Sequence, residues 1–260
     1  MTEKNDTDFA GRKIFFLYPS LLMQEKLVSG LAQEEFEAYS VGDKDKLRKL
    51  LKKYPHSIVF ANISEGMLTN DWDNWINSVM TDSDLIGVDI GIIAYGENAD
   101  MRQKFTEQFK VRFGYTVMKP DLSAVVKQLV SILNRENAKG RRKFVRVVVD
   151  KGFDITVDIL LSSGTPVRGT VMDISMAGFS CSLTGEPELE KNSYFTNIKI
   201  QLKNQLLNVQ GIFFRARMQG TEKVYVFLFA QHASPEAQTE IRKFVHSLLQ
   251  SRMDSELEEK

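Results

Sequence analysis

The apolar residues of this 260-residue chain change their spacing once, near Asn134, and that change limits the fold more than any single motif. Before it, short apolar runs alternate with helical stripes. Residues 14–18, 36–41, 57–63, 89–95 and 115–118 read as five strands. Between them, Leu47, Leu50, Leu51 and Tyr54 recur at i, i+3, i+4 and i+7, one face of a helix. Trp72, Trp75, Ile76 and Val79 make a second stripe, and residues 22–34 and 101–110 are further helix candidates. Asp121 is placed to cap a last helix with Leu122, Val125, Val126, Leu129 and Leu133 on one face. Strands alternating with helices imply βαβ units and a parallel sheet covered on both sides.

Residues 135–140 are polar and end in glycine, and beyond them the apolar period becomes two. Phe153, Ile155, Val157 and Ile159 alternate with polar neighbours, as do Phe179, Cys181 and Leu183. The pattern continues through Ile198, Ile200 and Leu202, then Leu207, Val209 and Phe213, then Val224, Val226 and Leu228. Short strands separated by turns predict a small antiparallel β-barrel. Ser234 followed by Pro235 predicts a helix start, with Ile241, Phe244, Val245, Leu248 and Leu249 as its apolar face. The expected fold class is therefore α/β plus β. A doubly wound parallel-sheet domain spans 11–136, a β-barrel with a C-terminal helix spans 139–251, and a frayed acidic tail spans 252–260.

Composition narrows the function classes. Lysines and arginines number 34 and acids 34, so the net charge is zero, which argues against a general binder of nucleic-acid polymers or membrane surfaces. Any anion site must come from a local cluster. Cys181 is the single cysteine, so no internal disulfide forms and a reducing cytoplasm is the expected location. His56, His232 and His246 are too scattered for a zinc set, and neither a metal nor a cofactor is expected. Residues 1–10 lack the apolar core of a signal peptide, and no run is long enough for a membrane span. Gly87, Gly91 and Gly96 do not form a dinucleotide fingerprint, and no carboxylate pair or Cys–His couple suggests an enzyme.

Two short segments stand out in the barrel half. Lys139, Arg141, Arg142, Lys143 and Arg146 place five cations within eight positions. Asp173-Ile174-Ser175-Met176-Ala177-Gly178 lies on a turn between two expected strands. Taken singly, each has an ordinary reading. A basic run is usually a solvated linker, and Asp173 and Ser175 can simply form an Asx or Ser turn. Cys181 reads as a small core residue, and Trp72 with Trp75 as core or as an exposed partner surface.

Together, the two segments resemble the PilZ domain family. Its motifs are RxxxR, matched by Arg142 and Arg146, and [D/N]xSxxG, matched by Asp173, Ser175 and Gly178. The resemblance covers about residues 139–250 and implies a barrel that binds cyclic di-GMP. It implies that Arg142 and Arg146 hold phosphate and guanine while Asp173 and Ser175 read guanine. A basic residue at Arg141 implies two stacked ligand molecules. The chemistry suits these roles. A guanidinium grips phosphate, or guanine O6 and N7, with two parallel hydrogen bonds. A carboxylate accepts from the N1–H and N2–H edge of guanine. The implied protein is a bacterial second-messenger receptor that changes its domain arrangement and signals to an unidentified protein partner in motility, attachment or virulence control. A PilZ-fold adaptor that has lost its nucleotide is the alternative.

The first half resembles a response-regulator receiver, with Met118-Lys119-Pro120 as the best local match. The magnesium-binding acidic pair is replaced by Tyr18-Pro19-Ser20, and Asn62 stands where the phospho-accepting aspartate belongs. Tyr95-Gly96 replaces the usual hydroxyl residue. The expectation is a non-phosphorylatable receiver-like domain, or another doubly wound domain of the flavodoxin type.

Overall fold

The computed structural model describes residues 11–149, 154–161, 163–202, 205–230 and 235–258. The expected strand position Phe153, the N-cap Ser234 and the unassigned His232 lie outside these residues. The chain divides into two compact units, Met1–Lys143 with Met253–Lys260, and Phe144–Arg252.

In the first unit, β1 (Ile14–Leu17), β2 (Ala38–Val41), β3 (Ile58–Asn62), β4 (Asp89–Ala94) and β5 (Tyr115–Val117) form a parallel sheet in the order β2-β1-β3-β4-β5. The strands are buried on both faces, which is why they appear in the sequence as unbroken apolar runs. The helices are α1 (Leu21–Met23), α2 (Ser29–Gln33), α3 (Lys44–Lys53), α4 (Thr69–Thr81), α5 (Ala99–Gln103) and α6 (Leu122–Arg135). A π-helical segment, Gln24–Val28, joins α1 to α2, and a second, Lys104–Gln108, follows α5. Asp43 caps α3 and Asp121 caps α6, each accepting from two backbone amides of its first turn. Leu47, Leu50 and Leu51 of α3 and Val125, Leu129 and Leu133 of α6 are the buried stripes. This strand order is the flavodoxin-like one, shared with receivers, whose ligand crevice opens where β1 and β3 diverge.

Trp72 and Trp75 are core. Both are buried, their rings meet edge to face at 5.9 Å, and Trp72 also meets the Tyr18 ring. They provide no exposed partner surface.

The second unit holds β6 (Arg146–Val148), β7 (Ile155–Leu160), β8 (Pro166–Ser175), β9 (Gly178–Leu183), β10 (Tyr194–Leu202), β11 (Gln205–Gln219) and β12 (Glu222–Phe229). Their order is β6-β8-β7-β10-β11-β12-β9, and a further β8–β9 pairing closes six of them into an antiparallel barrel. Strand β6 takes up the edge of β8 that β7 leaves after Thr170. Phe179 stacks on Phe227 at 5.1 Å, and Phe195 and Phe213 approach Phe227 from other strands at 5.6 Å. These rings fill the interior with inward residues of period two.

Helix α7 (Pro235–Glu258) runs further than expected. Residues from Asp254 to Glu258 are helical, not frayed. No glycine or proline follows Pro235, so nothing in the sequence stops the helix.

Candidate functional site

The second motif is built by a tight hairpin. Strand β8 ends at Ser175 and β9 begins at Gly178, with Met176 and Ala177 as the loop. The register then pairs Ser175 with Gly178, Ile174 with Phe179 and Asp173 with Ser180. Side chains of a strand alternate in direction, and cross-strand partners share a face. Ile174, Phe179 and Val147 point into the core. Asp173, Ser175 and Ser180 therefore belong to the opposite, outer face.

Strand β6 brings the end of the first motif to this face. Arg146 pairs with Ser175, Val147 with Ile174 and Val148 with Asp173. The backbone of Val149 continues the ladder, donating to Met172 O at 2.8 Å. Arg146 Nε lies 3.6 Å from Asp173 Oδ1, with the arginine half exposed and the aspartate mostly covered. A bulge between Val171 and Asp173 interrupts the β8–β9 register just before the aspartate. Such bulges re-aim side chains.

Each member of the [D/N]xSxxG motif has a defined local contact. The Ser175 hydroxyl accepts from Ala177 N at 3.3 Å and donates to Gly178 O at 3.4 Å, so it shapes the turn. The side chain of Ser175 is buried. Gly178 is required by the approach of β12, because a Cβ there would stand 2.0 Å from Phe227 O. Asp173 Oδ2 accepts from Ser180 Oγ at 2.5 Å. Cys181, next along β9, is buried, and burial first and the Asp173 charge second push its thiol pKa far up. It is a core residue with no acid–base role at neutral pH.

Arg141 and Arg142 lie on the segment just before β6, at the end of the first unit, Arg141 exposed and Arg142 partly so. The structure thus gathers Arg146, Asp173, Ser175 and Gly178 within the barrel. The sequence reading missed Ser180. A two-residue turn at 176–177 places residue 180 across from 173, so the hairpin register was the signal that would have found it.

In the first unit, the crevice at the carboxyl ends of β1 and β3 is occupied by the chain's own groups. Asn62 is fully buried, donates to Tyr18 O at 2.9 Å and accepts from Ser64 N at 3.3 Å. Tyr18 lies across Gly66, where a Cβ would come within 2.4 Å of its ring. Tyr95 Oη donates to Ser20 Oγ, and Tyr95 N donates to Ser64 Oγ. The Asn62 amide ties the loop after β1 to the turn after β3. Among the described residues, no group of three metal-ligating side chains occurs.

Residues 140–247 match the family model of the PilZ domain. Among solved structures, the chain is similar to the PilZ domain of YcgR from Escherichia coli with c-di-GMP, at 20% identity, over 46% of this chain and 98% of that one, TM-score 0.39. It is also similar to the YcgR chain from Escherichia coli in complex with c-di-GMP, at 18% identity, over 45% of this chain and 49% of that one, TM-score 0.39. The K. pneumonia MrkH–c-di-GMP complex matches at 15% identity over 45% of this chain and 57% of that one, TM-score 0.40. This chain therefore spans about half the length of those two longer proteins. No curated protein matches the chain.

Proposed function

We propose that this PilZ-domain protein is a non-enzymatic receptor for cyclic di-GMP. The observation that carries the reading is the register of β6 on β8, which sets Arg146 beside Asp173 on one outer face of the barrel. A forked donor and an acceptor-only carboxylate side by side match the phosphate, the Hoogsteen edge and the N1–H/N2–H edge of a guanine nucleotide. Arg142, four residues earlier, supplies a second guanidinium, and Arg141 a cation that can stack on an exposed guanine face. Ser175 and Gly178 serve by shaping the hairpin that presents Asp173.

The segment joining the two units carries the arginines, so ligand binding acts where the chain links them. Ala138 is held by the first unit, donating to Leu133 O and accepting from Arg12 N, and Lys139 lies over the Phe36 ring at 4.8 Å. Arg146 is already in the barrel ladder. A dianionic ligand gripped by Arg141, Arg142 and Arg146 orders the residues between these anchors and shifts the preferred domain arrangement. It does so only as far as its affinity differs between the arrangements. A protein partner in bacterial motility, attachment or virulence control reads the change.

Thermal denaturation with a nucleotide panel tests the reading. Cyclic di-GMP raises the midpoint in a concentration-dependent way, as any ligand of the native state must, whereas GMP and cyclic di-AMP do not. A midpoint unmoved by saturating cyclic di-GMP would instead favour a protein adaptor.

A further inference from the structure

We infer that Ser180 is a positioning residue for Asp173 and sets the discrimination of the site for guanine; the inference rests on the receptor reading above. Ser180 is not part of either sequence motif. It is nonetheless the direct cross-strand partner of Asp173, its side chain is buried, and its hydroxyl bonds Asp173 Oδ2 at 2.5 Å.

The geometry gives this bond a specific consequence. Asp173 has two oxygens and two neighbours on opposite sides: Ser180 at Oδ2 and Arg146 at Oδ1. The serine contact is a short hydrogen bond. The arginine contact, at 3.6 Å, is too long to be one. The carboxylate is therefore tied to the strand side and kept off the guanidinium. Arg146 keeps its N–H fork for an incoming anion or purine, and Asp173, acceptor-only, keeps lone pairs beyond the one that Ser180 uses. Without the hydroxyl, the carboxylate is free to turn onto Arg146. That pairing would occupy the donor and the acceptor that the ligand needs at once.

A carboxylate held in one orientation reads two donors in a fixed geometry, so it rewards guanine over hypoxanthine, which lacks the 2-amino group. A carboxylate free to rotate reads them less strictly. Ser180 thus acts through Asp173 on selectivity as well as on affinity.

The test is calorimetric titration of the full chain and of Ser180→Ala with cyclic di-GMP and with its hypoxanthine analogue, cyclic di-IMP. Loss of one hydrogen bond to a charged group predicts about tenfold weaker cyclic di-GMP binding by the variant. Cyclic di-IMP also loses contacts to Arg146 and Asp173 but has no 2-amino contact to lose, so it weakens less and the ratio of the two affinities falls toward one. Equal weakening of both ligands would show a merely structural effect and overturn the inference. So would an unchanged ratio with unchanged affinity. Failure of the wild-type chain to bind cyclic di-GMP at all would remove the receptor reading and the inference together, a result distinct from failure of Ser180→Ala to differ.

Discussion

Arg146 Nε stands 3.6 Å from Asp173 Oδ1, joined through the short β6 strand that pairs with the end of β8. The arginine side chain is 44% exposed, so solvent screens the pair and it adds little to stability. In the proposed receptor reading, the pair holds opposite charges ready for a ligand that carries both donors and acceptors.

Asp173→Ala separates binding from folding. The substitution removes the acceptor for the guanine edge and is expected to weaken cyclic di-GMP binding by about 1–3 kcal/mol, roughly tenfold to a hundredfold. Stability falls by about 1–3 kcal/mol, because the buried Ser180 hydroxyl loses its acceptor while the screened ion pair adds little, and the variant stays folded for the binding measurement. Calorimetry beside urea denaturation measures both. Wild-type affinity in the variant would remove Asp173 from the site.

Gly178→Ala behaves in the opposite way. The new Cβ would meet Phe227 O at 2.0 Å and Leu228 Cα at 2.9 Å, which forces β9 and β12 apart. The expected cost is about 1–3 kcal/mol or more, read as a lower urea midpoint. Any loss of ligand binding then follows the loss of the barrel. An unchanged midpoint would contradict the packing account of this glycine.

Asn62→Asp is not expected to create a phospho-accepting site. The buried side chain loses its donor to Tyr18 O and gains a buried charge, and among the described residues no group of three metal-ligating side chains occurs. Destabilisation of about 3 kcal/mol is expected, and acetyl phosphate with magnesium should add no mass to the folded protein. A phosphoryl adduct would show that the crevice is open to phosphotransfer.

Cys181 provides a pH prediction. Burial raises its folded pKa above the ordinary value of 9.0, so the unfolded chain releases the thiol proton first as pH rises. The native state therefore binds the proton more tightly. The contribution of this group is constant below about pH 9 and is lost progressively above it. Thiol-specific reagents at pH 8 should label the unfolded chain and leave the folded one untouched. Fast labelling of native protein would contradict the burial.

Much of this architecture is legible in the sequence, and particular residues show where legibility ends. The five apolar runs of the first half became five parallel strands because strands buried on both faces carry no polar alternation. Asp121 capped its helix as expected, since a cap is a local effect of side chain on backbone. The barrel followed from period two. What pattern alone does not reveal is register. The pairing of Arg146 with Ser175, and of Asp173 with Ser180, depends on how strands distant in sequence align. Gly178 read as a turn residue, whereas its space is taken by the Phe227 carbonyl of a strand some fifty positions away. The tryptophans were placed on one helix face correctly, but which side of that face is covered is decided by Tyr18 and the sheet.

The most direct measurement is titration of the full chain with cyclic di-GMP by calorimetry, beside Arg146→Ala. The account predicts saturable binding by the wild-type chain at micromolar concentration or tighter. It predicts binding weakened at least about tenfold in the variant, whose fold is kept, and a stoichiometry that distinguishes one ligand from a stacked pair at Arg141. A folded wild-type protein that gives no binding heat and no thermal shift with cyclic di-GMP would contradict it.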